Sequence, residues 1–136
     1  MTPEFLAAVI DTLVPGDDAL PSGTRAGLDP ATYVVSHCAV FDAIAAQSGT
    51  AEAFLHADES ARNAVMRGVE RGAPDAFRAL LTAVLADYYD AQAVLAALGW
   101  RHEPPQPAGH RVAPLDDSAM ERLERVRTRS KLWRNA

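Results

Sequence analysis

The chain of 136 residues has one cysteine, Cys38, and one lysine, Lys131. A lone cysteine excludes an internal disulfide, a cysteine-based zinc site and c-type haem attachment, which needs two cysteines and a histidine. No apolar run reaches the length of a membrane span, because Asp11 and Pro15 interrupt the first apolar stretch. No basic region precedes that stretch and no twin arginine lies near the start, so the expectation is a cytoplasmic chain without a signal peptide and with no membrane insertion. The motifs G-x-S-x-G, G-x-x-x-x-G-K and G-x-G-x-x-G are all missing, and with them the usual nucleophile elbow, phosphate loop and dinucleotide fingerprint. Glu-x-x-His, which a di-metal carboxylate bundle needs on two helices, does not occur. Positive charge is scarce overall. The formal net charge of -5 predicts no nucleic-acid partner.

Apolar residues make up 49% and charged residues 23%, the composition of an ordinary globular chain of one domain. The charge is uneven along it. Residues 1–119 hold 16 acids against 7 Lys/Arg, a net of -9, while residues 120–136 hold 6 Lys/Arg against 2 acids, a net of +4. A basic tail on an acidic body points to self-docking or to a partner with an acidic groove.

Helix signals dominate what is present. Thr2, Pro3 and Glu4 read as N-cap, first helical position and first-turn acid, and Phe5, Leu6, Val9, Ile10 and Leu13 follow at helical spacing. Pro15 ends that helix, and residues 15–28 read as a loop. Asp29-Pro30 opens a second helix with Tyr33, Val34, His37, Val40, Phe41 and Ile44 on its apolar face, stopped at Gly49. Thr50 and Asp58 cap two more, and Gly72 ends the second of these. After Pro74-Asp75, Phe77, Leu80, Leu81, Val84, Leu85 and Tyr88 form a nearly ideal stripe. Asp90 then reads as the cap of a short helix ending at Gly99. Residues 100–116, with Pro104, Pro105 and Pro107, read as an ordered extended loop. Ser118 with Glu121 reads as a capping box for a last helix, with Met120, Leu123 and Val126 on one face. No alternating strand of useful length and no fixed repeat occurs. The expected fold is all-α: one domain over 1–136, a compact bundle of about six or seven helices, loops at 15–28 and 100–116, and a basic C-terminal segment at 117–136.

Catalytic constellations are sparse. Glu52 and His56 could share a metal, but one pair makes no site. His37 and Cys38 are adjacent, so on a helix they point about 100° apart and do not form a nucleophile pair; the expectation is a core histidine and a buried thiol. The acid pairs Asp17-Asp18 and Asp116-Asp117 read as caps or solvated loop. Residues expected to carry chemistry are therefore binding residues. The stiff segment from Trp100 to His110 is either a docking surface, losing little entropy on binding, or a strap over its own helices. The tail with Arg125, Arg127, Arg129, Trp133 and Arg134 combines residue types enriched at interface hot spots; its bland alternative is a solvated terminus, and a phosphate binder is a third reading that no recognisable nucleic-acid module supports.

Three stretches carry a resemblance: "LAAVIDTLVPGDD" at Leu6–Asp18, "ADYYDAQAVLAALGW" at Ala86–Trp100 continuing into "PPQPAGH" at Pro104–His110, and "VRTRSKLWR" at Val126–Arg134. In this order the chain resembles the gluconate 2-dehydrogenase subunit 3 family, the small helical subunits of glucose-methanol-choline-type flavoprotein dehydrogenases. The resemblance implies a non-catalytic subunit that binds and stabilises or matures a large FAD-dependent sugar or alcohol oxidoreductase. It implies no cofactor in this chain and FAD in the partner. The interface residues it points to are Pro15, Asp17, Trp100, Pro104, Pro105, Pro107, His110, Arg127, Arg129, Trp133 and Arg134. Membrane-bound members of the family are exported on a twin-arginine signal; this sequence starts directly on its first helix, so a cytoplasmic pair is the expectation. Two other readings are an adaptor or regulator docking an unrelated partner through the basic tail, and an independent helical enzyme around His37, Tyr33 and Asp42.

Overall fold

Thr2 begins the first helix: its hydroxyl accepts the Phe5 N–H at 3.3 Å, and Pro3 occupies a position where a missing N–H costs nothing. A computed structural model describes residues 1–100 and 116–129. The chain divides into two compact units, Met1–His102 and Glu103–Ala136. The described residues form seven helices: α1 (Pro3–Leu13), α2 (Ala31–Gln47), α3 (Ala51–His56), α4 (Glu59–Gly72), α5 (Pro74–Asp90), α6 (Gln92–Ala97) and α7 (Asp117–Arg127). The first six belong to the first unit. All seven are α-helical, and no strand occurs among the described residues. None of the described helices is long and apolar enough to cross a membrane.

The core of the first unit forms where the apolar stripes meet. α2 packs against α5, α4 and α3, and α1 against α3 and α2. Phe5, Val9 and Ile10 from α1, Phe41 and Ile44 from α2, Phe54 from α3, Leu80 and Val84 from α5 and Val94 from α6 are fully buried. Phe5 meets Phe54 edge to face at 5.7 Å. Arg62 on α4 secures the end of the short α3: Nε donates to the Phe54 carbonyl at 3.0 Å, which also accepts the Ala57 N–H at 3.3 Å, and a terminal nitrogen donates to the Leu55 carbonyl at 2.6 Å. The Arg62 guanidinium also lies 5.6 Å from the centre of the Phe54 ring.

Thr50 and Asp58 cap as expected, accepting the N–H groups of Ala53 and Ala61 at 3.0 and 2.7 Å. Four local expectations differ. α5 runs through Asp90, and α6 starts after Ala91 with no side-chain cap, so Asp90 is the end of one helix and not the start of the next. The buried Tyr88 keeps α5 helical to that point. α7 is capped by Asp116, which accepts the Ala119 N–H at 2.6 Å, while Ser118 donates to the Asp116 carboxylate. A carboxylate outcompetes a hydroxyl at the positive end of a helix. Cys38 is exposed and not a buried thiol. His37 is only half-buried, and the helical geometry of α2 breaks at it, with φ -130° and ψ 23°. Keeping an imidazole on the apolar stripe would strip water from its ring nitrogens, and the break leaves them within reach of solvent.

Candidate functional site

A largely exposed tryptophan in the first unit follows α6. Gly99 takes φ +67°, which a glycine adopts without penalty, and its N–H donates to the Ala96 carbonyl at 3.0 Å. The next N–H, that of Trp100, reaches the Leu95 carbonyl at 2.8 Å. This pair of bonds is a Schellman motif, and it fixes the Trp100 backbone on the end of a helix whose Val94 is in the core. The indole itself is 69% exposed, and Leu98 beside it is also exposed.

The turn after α1 is equally well held. Gly16 has φ +72°, and the Asp17 carboxylate accepts the N–H groups of Leu20 at 2.7 Å and Ala19 at 2.8 Å. Those bonds, the one from Leu20 foremost, hold the Asp17 pKa below the ordinary carboxylate value. Further along the loop, the Asp11 carboxylate accepts both the N–H and the hydroxyl of Thr24, and the Tyr88 hydroxyl donates to the Pro21 carbonyl at 2.7 Å. Burial pushes the Tyr88 pKa up, with Tyr89 and Asp17 adding to it. Pro15 and Asp17 are both exposed on this turn.

Between the loop and the end of α5 lies an open cleft of about 500 Å³. Leu28, Asp29, Thr32 and Tyr33 form one wall, and Asp87, Asp90 and Gln92 the other. The buried Tyr33 hydroxyl donates to the Asp87 carboxylate at 2.7 Å. Burial, then that hydrogen bond, raise the Tyr33 pKa far above its ordinary value, so the phenol stays protonated and serves as a donor, not a base. Tyr33 is therefore engaged by Asp87 and not by Asp42, which is exposed. This pair escaped the sequence reading. Tyr33 reads from the sequence as an apolar-face residue and, in the enzyme alternative, as a neighbour of His37 and Asp42; 54 residues separate it from Asp87, so no local spacing could reveal that pair.

In the second unit α7 buries none of its residues. Met120, Leu123 and Val126 line one face, and each is about half exposed. The helix holds three acids and three arginines, so the positive excess of the C-terminal segment lies beyond it. Arg127 pairs with Glu124 at 3.5 Å, both side chains exposed, an arrangement worth little by itself. Arg127 and Arg129 are exposed. Of the other residues named for an interface, Pro104, Pro105, Pro107, His110, Trp133 and Arg134 lie outside the described residues. Among the described residues no group of three or more His, Cys, Asp or Glu could hold a metal ion. Comparison with family models, with curated proteins and with solved structures gives no match to this chain.

Proposed function

We infer that the chain is a non-catalytic small subunit of the kind the sequence resembles, binding and stabilising or maturing a large FAD-dependent sugar or alcohol oxidoreductase. The observation that carries this reading is Trp100, an aromatic side chain held on a rigid helix end yet turned largely to solvent. Tryptophan on a fixed backbone gives large contact area at little entropic cost, the property of an interface anchor. The exposed, hydrogen-bonded turn of Pro15 and Asp17 has the same character. FAD would reside in the partner, and the specificity of the pair with it.

The test is a tagged pull-down from the native host at moderate salt, read by absorbance. A stoichiometric large polypeptide with flavin bands supports the reading, and Trp100→Ala should then weaken its capture. A colourless partner lost as salt rises favours the second reading, an adaptor docking through the basic tail. The excess of Lys/Arg over acids in residues 120–136 is the observation behind that alternative.

A further inference from the structure

α2 contains neither proline nor glycine between Ala31 and Gln47, so the break at His37 has no cause in local backbone chemistry. The two halves of the helix are instead held differently. Beyond the break, Val40, Phe41 and Ile44 are buried in the core. Before it, Tyr33 is the single buried side chain, Val34 is partly buried against the core, Val35 is 88% exposed, and Tyr33 also reaches α5 through its hydroxyl bond to Asp87. The same short arm supplies Thr32 and Tyr33 to one wall of the 500 Å³ cleft, and Asp87 stands on the other wall. A hydrogen bond thus joins the two walls of the cleft from a segment with fewer apolar anchors than residues 40–47, next to a helix break.

We propose that residues 31–36 form a hinged wall of this cleft, with the pivot at His37 and the Tyr33–Asp87 bond as its latch. Releasing the latch swings the arm and widens the cleft, while residues 40–47 stay in the core. Segments with fewer buried apolar contacts open locally at less cost than the whole fold, and this arm has fewer than the half of α2 beyond the break.

Native-state hydrogen exchange on the full chain tests this, read at the amides of residues 35–38, which span the end of the arm and the pivot, against those of residues 41–47. Tyr33→Phe removes the donor and keeps the ring. Asp87→Asn, at an exposed position, weakens the acceptor without touching the core. Each variant should speed exchange in 35–38 by about tenfold, the scale of one lost hydrogen bond, and leave 41–47 unchanged. Equal acceleration in both segments would mean that α2 opens as one unit, and the hinge would be wrong. No acceleration in either segment would mean that the bond latches nothing, which equally overturns the proposal.

Discussion

Single residues at the turn after α1 decide whether the loop closes. At Gly16 a Cβ would stand 2.5 Å from the Ser22 nitrogen and 2.6 Å from the Pro21 carbonyl carbon, and the φ of +72° is itself one that side chains rarely adopt. Gly16→Ala should therefore cost on the order of 2 kcal/mol, read as a lower denaturation midpoint. Trp100→Ala is the contrasting case. Its indole is solvated, so the unfolding midpoint should stay within about 0.5 kcal/mol of wild type while capture of a flavoprotein weakens. A midpoint loss several times larger would make Trp100 a packing residue instead. Asp17 has a pKa depressed in the folded chain by the N–H groups of Leu20 and Ala19. The sign follows from that depression: its contribution is present above the unfolded value near pH 4 and fades as pH falls through the lower folded value. An Asp17→Asn variant should flatten that acid limb of the stability curve.

At the scale of elements, caps set where helices start, and α7 is the clearest case. The Asp116 carboxylate accepts the Ala119 N–H and the Ser118 hydroxyl, and these two bonds hold its pKa down, the first more than the second. Asp116→Ala should shorten or fray α7, lowering ellipticity at 222 nm, while Ser118→Ala should have a smaller effect. The reverse order would restore Ser118 as the cap. Acidification through that lowered value, below the ordinary carboxylate range, should mimic Asp116→Ala, since protonation removes the charge that the helix N-terminus favours. α3 shows the converse dependence. With six residues it cannot persist alone, and it is held by Phe54 in the core and by Arg62 on its last carbonyls.

For the whole molecule, stability resides in the helical core of the first unit. Phe54 is fully buried, touches Phe5 edge to face and lies under the Arg62 guanidinium. Phe54→Ala should lower unfolding stability by about 3–5 kcal/mol, the range for emptying a buried phenylalanine site, and should shift the chemical-denaturation midpoint without splitting the transition. Pro15, Asp17 and Trp100 are exposed and outside this core, so core variants and variants at these three positions are separable: the first lower the midpoint, the second the capture of a partner.

The all-helical fold was legible because it rests on short-range rules. Proline at a first helical position, Thr50 and Asp58 as caps, Gly99 as a stop and the apolar stripes of α1 and α5 each act within about four residues, and each stands where its local chemistry directs. Trp100 was legible as a candidate because it is an aromatic flanking the proline-rich segment, although only the structure gives its exposure. Tertiary structure alone decided the break at His37, where burying an imidazole competes with continuing a helix. It decided the exposure of Cys38, which depends on which side of α2 the core occupies. It also decided the cleft, since Tyr33 and Asp87 meet only when α2 packs on α5. Periodicity shows which residues leave water, but not which distant residue receives the one polar atom that goes with them.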